Sequence, residues 1–279
     1  MKLALTSLLS AVAIVVMPGI ALAGFAPADR ATLQCISPTN CPGASYVTFN
    51  SFTNAPNYGD ERAFFDAKDA SITSPGGFQD KLTVTHGQRI FMRVYVHNNA
   101  NESAIGQAAA TAKNTRIQAL LETNKKTSHV ASAAITADNA NPATVSDTVE
   151  LTGANPFTMV FDRNAPVNVT YRPNGTGDWV TRPLPGATFA NDQTINANVG
   201  DWRGCFEFGA LITFTAIVSM DVPKIEVPPQ IPPTPTPPSA GKPGALPVTG
   251  GAGSVLGVFT GVSAAAGAVH YLWGRRFGQ

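Results

Sequence analysis

Charge is scarce in this sequence. Charged residues make up 13% of its 279 positions, against roughly 25% in ordinary soluble domains. The formal net charge is +1, and no basic cluster occurs before the last few residues. That excludes the electrostatic footprint of a nucleic-acid binder. Cysteine is also rare, and the three present are an odd number, so they cannot all pair within one molecule. Cys35 and Cys41 flank a turn-like Ser37-Pro38-Thr39-Asn40. They are a candidate disulfide in an oxidising compartment, or else two free thiols. Cys205 stands at the mouth of an apolar strand and reads as a buried small hydrophobe. No H-E-x-x-H, C-x-x-C or EF-hand spacing occurs, so neither a metal site nor a cofactor is expected. Asp60-Glu61 and Asp138-Asn139 are the acidic loop pairs that calcium would use, and such pairs are more often simply solvated. A thiol enzyme would need Cys205 beside His86, His97 or His129. No glycine-rich or aromatic nucleophile context surrounds Cys205, and the chain reads as a non-enzyme. No internal repeat at a fixed period occurs either.

The two termini carry most of the information. Lys2 precedes an apolar run from Leu3 to Val16; Pro18-Gly19 and then Ala21-Leu22-Ala23 follow. That order is the charged, apolar and small-residue pattern of a secretory signal peptide over 1–23, with cleavage between Ala23 and Gly24. Residues 24–43 form an N-terminal extension. At the other end, ten of the 22 prolines lie between Pro223 and Pro247. A linker of that composition over 222–245 extends as polyproline II at ~3.1 Å per residue. Leu246-Pro247-Val248-Thr249-Gly250 comes next. An uncharged stretch, 251–273, then has the length of a transmembrane helix at ~1.5 Å per residue. A tail, 274–279, carries Arg275-Arg276, whose place is cytoplasmic.

In that order these C-terminal parts resemble the cell-wall sorting signal of LPxTG surface proteins. The resemblance implies that a sortase attacks the Thr249 carbonyl, Gly250 leaves, and Thr249 passes to an amine of the peptidoglycan precursor. Leu246, Pro247, Val248, Thr249 and Gly250 are then the recognition residues. The span would hold the chain in the membrane until cleavage. Val222-Pro223-Lys224 is similar to the lysine context of sortase-built pili. It would make Lys224 the acceptor of a neighbour's Thr249, although Val222 stands where that context has tyrosine.

Between the ends, over 44–221, short alternating runs predict an all-β domain. Ile90, Met92, Val94 and Val96 share one face, opposite Phe91, Arg93, Tyr95 and His97, as in a half-buried antiparallel strand. Further strands are expected at Tyr46–Phe52, at Leu82-Val84 leading through Gly87 in a hairpin, and at Thr115–Leu121. Others are expected at Val145–Leu151, Phe157–Phe161, Val167–Tyr171 and Cys205–Met220. The last is apolar on both faces and is therefore expected to lie centrally. Thr127–Ala137 reads as a strand, and Ala-rich Ser103–Ala112 as a helical turn or loop. Gly59-Asp60-Glu61-Arg62-Ala63-Phe64, Val94-Tyr95-Val96-His97-Asn98-Asn99 and Gly204-Cys205-Phe206-Glu207-Phe208 resemble the immunoglobulin-like domains of bacterial wall-anchored proteins. That resemblance implies an antiparallel immunoglobulin-like β-sandwich acting as stalk, spacer or adhesive module. Expected partners are a sortase, peptidoglycan through Thr249, the membrane before cleavage, and a ligand on a host or neighbouring cell.

Overall fold

The computed structural model describes residues 25–56 and 58–221. The expected signal peptide with Ala23 and Gly24, the Pro-rich linker, the expected sorting pentapeptide, the expected 251–273 span and the basic tail lie outside them. Among the described residues no helix is long and apolar enough to cross a membrane.

Eleven strands are joined by mainly antiparallel ladders. They are β1 (Phe65–Asp69), β2 (Lys81–Val84), β3 (Arg89–Val96), β4 (Ala112–Leu120), β5 (Lys126–Thr136) and β6 (Thr144–Phe161), followed by β7 (Asn168–Tyr171), β8 (Val180–Pro183), β9 (Ala187–Asn191), β10 (Thr194–Trp202) and β11 (Ala210–Met220). The hydrogen-bonded path runs β1-β3-β11-β6-β5-β4-β10-β9, with β2 on β6, β7 on β11 and β8 on β7. Two short helices, α1 (Glu102–Ile105) and α2 (Gln107–Ala110), fill the Ala-rich stretch. The all-β expectation holds, and the architecture is sandwich-like.

β6 ties the halves together. Val145, Asp147, Val149 and Leu151 point inward from its first part, and Phe157, Met159 and Phe161 from its second. An exposed Ala154-Asn155-Pro156 bend separates them. Pro156 cannot donate to a ladder, and a bend is where a strand tolerates it. The first part pairs with β5 and β2, the second with β11. One continuous strand thus joins the β5 and β2 side of the sheet to β11, and the register with β5 shifts at the bend. β11 is central, as its two apolar faces imply: β3 borders one edge, and β7 then β6 share the other.

Three expectations change. β2 is not in a hairpin with β3: it runs parallel to β6, so the Thr85–Gln88 turn passes the chain from a partner of β6 to a partner of β11. Tyr46–Phe52 is not a strand but a series of isolated bridges. Asn50 turns the chain at φ 48°; beside a backbone bond from its N–H to His97 O (3.0 Å), its side chain donates to Tyr95 O (3.0 Å) and accepts from His97 N–H (3.0 Å). The third change concerns β3, which is buried on both faces. Arg93, Tyr95 and His97 are 8%, 4% and 0% exposed. Phe78 covers Arg93 at 4.0 Å, and Tyr58 stacks on Tyr95 at 4.3 Å. A period of two shows which residues share a face, but not that another segment lies on it.

Residues 25–43 also lie against this body. Ala26 exchanges two backbone hydrogen bonds with Ser146 of β6 (2.8 and 2.9 Å). Phe25 lies under the Arg62 guanidinium (4.3 Å), and Arg30 is buried. Burial, with Arg62 nearby, lowers Arg30 to about 10. Asp147, inward on β6, accepts from Phe65 N–H and Thr148 N–H at 2.8 Å each. Burial nevertheless raises its carboxyl from 3.8 to about 7. The folded chain therefore holds a proton there that the unfolded chain has released. Stability supplied by this group is fully present below 3.8 and is lost as pH rises toward about 7. In urea titrations across that window, Asp147→Asn is expected to flatten the fall in stability with pH. An unchanged slope would show that Asp147 is not its source.

Candidate functional site

A cleft of about 770 Å³ opens at the end of β11 where that strand begins. Three parts of the chain build it. The end of β3 and the turn after it supply Tyr95, His97, Asn99 and Asn101. The segment before β11 supplies Cys205, Phe206 and Glu207, and the N-terminal segment supplies Pro38–Gly43, Phe52 and Tyr58. Arg172, just past β7, completes the wall. The register explains the meeting: Ala210 pairs with Val96 on one side and Tyr171 on the other.

His97 lies under this cleft with its ring locked. Asn99 Oδ1 accepts Ser51 N–H (2.6 Å), which orients the Asn99 amide so that Nδ2 donates to Glu61 Oε2 (2.9 Å). Glu61 Oε1 is 2.7 Å from His97 Nδ1. A carboxylate oxygen at that distance accepts, so Nδ1 carries a proton, and Asn99 Nδ2 lies 2.9 Å from the same nitrogen. Nε2 has no protein partner, and the His97 side chain is 1% exposed. Phe206 packs on the ring at 4.3 Å. Glu61 itself is fully buried, on the turn where Asp60 holds Arg62 (2.9 and 2.6 Å).

Cys205 is not within an apolar strand. It precedes a 3₁₀ turn, Phe206–Phe208, and is only half-buried. Its backbone sits at φ 82°, ψ 155°, a region that is essentially glycine-only and costs about 1–3 kcal/mol for another residue. Two contacts hold it there. Its N–H donates to Asn98 O (3.1 Å), and Gly204 packs so closely that a Cβ would stand 2.5 Å from Ala100 O. The thiol points to Ala100 O (3.8 Å), and burial raises it above its ordinary value.

The structure brings together some candidates and separates others. His97 shares the cleft with Cys205. His86 is at the other end of β11, accepting Met220 N–H (3.1 Å), and His129 is buried against Phe157 O (2.8 Å). Cys35 and Cys41 are joined by a disulfide whose loop, closed by Asn40 N–H on Ser37 O (3.0 Å), forms one lip of the cleft. The acidic pairs are occupied by protein donors. Asp138 binds Asn114 (2.6 Å) and Arg116 (2.8 Å), and Asn139 Oδ1 accepts Lys113 N–H (2.8 Å). Among the described residues no group of three His, Cys, Asp or Glu is placed to hold a metal. Lys224 and the expected sorting residues Leu246, Pro247, Val248, Thr249 and Gly250 lie outside the described residues.

Sequence reasoning took Asn98-Asn99-Ala100-Asn101 only as a turn and missed Glu61 as the group that orients His97. The one signal available was a carboxylate inside a run otherwise read for its pattern. No family model, curated protein or solved structure matches the chain.

Glu61→Ala is expected to destabilise the protein by about 1–3 kcal/mol, because it removes the buried carboxylate that His97 Nδ1 and Asn99 Nδ2 share. Chemical denaturation measures this. A loss under about 0.5 kcal/mol, the size of an ordinary surface change, would show that the network is not a structural tie.

Proposed function

We propose that this chain is a bacterial surface protein that a sortase joins to peptidoglycan, and that its immunoglobulin-like sandwich displays a binding cleft for contact with a host or neighbouring cell. One observation supports the display reading above the others. The cleft is at the Ala210 end of β11, whereas the chain leaves the described domain at Asp221, past the opposite end. At ~3.3 Å per residue those ends are roughly 30 Å apart. Attachment through the C-terminal linker therefore holds one end of the domain and leaves the cleft at the other. The sequence supplies the rest of the reading: a leader pattern, a Pro-rich stalk, the Leu246–Gly250 pentapeptide, an apolar stretch and two arginines, in that order.

The chemistry is an acyl transfer. A sortase thiolate attacks the Thr249 carbonyl, the amine of Gly250 departs with the apolar tail, and a wall-precursor amine displaces the enzyme from Thr249. Cells digested with a muralytic enzyme are expected to release a chain whose C-terminal peptide ends at Thr249 and carries wall fragments, detected by mass spectrometry. A peptide running intact through Gly250, from cells with an active sortase, would overturn the anchoring reading. Thr249 joined to Lys224 would replace a single displayed domain with a polymerised pilin.

A further inference from the structure

We infer that the cleft takes a short neutral oligosaccharide. The inference rests on the cleft being the binding face proposed above, and it names the class of ligand. The cavity, about 770 Å³, falls in the range of roughly 300–1,000 Å³ that takes a small organic ligand. Aromatic rings line much of it. Tyr58 stacks on Tyr95 (4.3 Å), and Phe206 packs on Phe52 (5.2 Å) and on His97 (4.3 Å). Tyr58 and Phe206 are only half-buried and keep ring area for a ligand. The His97 side chain is 1% exposed, so it supports Phe206 and does not itself meet a ligand.

Two polar side chains on the wall are positioned yet left over by the fold. Asn101 Oδ1 accepts Ala104 N–H (3.1 Å) and the Ser103 hydroxyl (2.8 Å). Those bonds cap α1 and fix the amide, so Nδ2 is the donor that remains. Glu207 has its stem against Gly175, where a Cβ would stand 2.8 Å from Glu207 Cγ. Among the described residues none bonds to the Glu207 carboxylate, and neighbouring Arg203 is held in two places by Glu102. Thr39 and Asn40 add uncharged polar groups on the disulfide lip. A sugar ring fits this set. Its vicinal hydroxyls donate to a carboxylate and accept from an amide, and its C–H face lies on aromatic rings. A peptide fits less well, because the backbone at the rim is already paired. Asn98 O accepts Cys205 N–H (3.1 Å), Ala44 N–H donates to Asn99 O (2.9 Å), and Asn101 N–H donates to Ala44 O (2.8 Å). Ala210 is paired on both sides. An extended chain therefore finds no open ladder to join.

The purified full chain would be titrated with cellotriose, maltotriose, chitotriose and lactose. A blocked tetraserine peptide, which carries hydroxyls without a sugar ring, is the comparison. Calorimetry gives affinity, and saturation-transfer NMR gives the ligand protons in contact. At least one sugar is expected to bind with a Kd of about 1 mM or tighter, with transfer strongest at its ring C–H protons, and the peptide is expected not to bind. Glu207→Gln should weaken that sugar by about tenfold or more, since a charged acceptor is lost. Asn101→Asp keeps the oxygen that caps α1 and loses the donor, so it should weaken the sugar by about three- to tenfold. Urea midpoints are expected to stay at the wild-type value in both variants, which separates lost contacts from lost folding. No sugar binding tighter than about 1 mM, or unchanged affinity in both variants, would overturn the inference. Peptide binding as tight as the sugar's would overturn it in favour of a peptide site. The purified chain needs no wall attachment, so a negative result here leaves the Thr249 linkage standing.

Discussion

The burial of the second face of β3 is the constraint on which the rest depends. A strand carrying Arg93, Tyr95 and His97 in a row would normally turn them to water. Here Phe52, Tyr58, Phe78 and Phe206 cover them, and every polar group beneath needs a partner or a reason to lack one. Arg93 is paired in two places with Asp66 of β1 and lies over Phe78. Tyr95 stacks on Tyr58. His97 is tied to Glu61, Asn99 ties Glu61 to Ser51, and Asn50 bonds back to β3. The covering segment has no strand ladder of its own, so these side-chain bonds, with isolated backbone bonds from Asn50 N–H to His97 O (3.0 Å) and from Asn99 N–H to Thr48 O (2.8 Å), set where it lies.

The cleft is a by-product of the same arrangement. The covering chain runs as far as the end of β3, where the Asn98–Asn101 turn, the disulfide loop and the strained Cys205 segment meet and leave a gap. The residues around that gap are therefore fixed by the buried network under them. Rigid support of this kind favours binding, because little side-chain freedom is lost when a ligand enters. His97 Nε2 is the position in this network without a hydrogen-bond partner, and His97 is among the residues that line the cleft.

Most regular elements are legible in the residue pattern. β3, β4 and β11 follow from alternation, because a strand with one buried face records that face every second residue, whereas β5 reads as a strand from its β-branched and hydroxyl residues and β6 reads as two strands that the fold joins into one. The central place of β11 follows from having two apolar faces. Less legible were β1, with Asp66 and Lys68 among its buried residues, and β8, whose four residues are all exposed. Neither shows an apolar stripe. The parallel pairing of β2 was hidden because a turn with Gly87 looks the same whether its strands pair with each other or with different sheets. Asn50 reads as an ordinary turn residue, and its bonds to β3 lie 45 and 47 positions along the chain.

What the sequence determined alone was the order of its parts: the leader pattern, the β-rich middle, the proline stalk and the Leu246–Gly250 pentapeptide with its apolar and basic successors. These are local in the chain, and the machinery expected to read them recognises short linear segments. Tertiary structure alone decided the site. Glu61, His97 and Cys205 are separated by 36 and 108 positions. Hydrogen-bond direction joins the first two, and backbone strain with a shared cavity adds the third. None of these relations leaves a periodicity, because each is set by distance in space rather than by spacing along the chain.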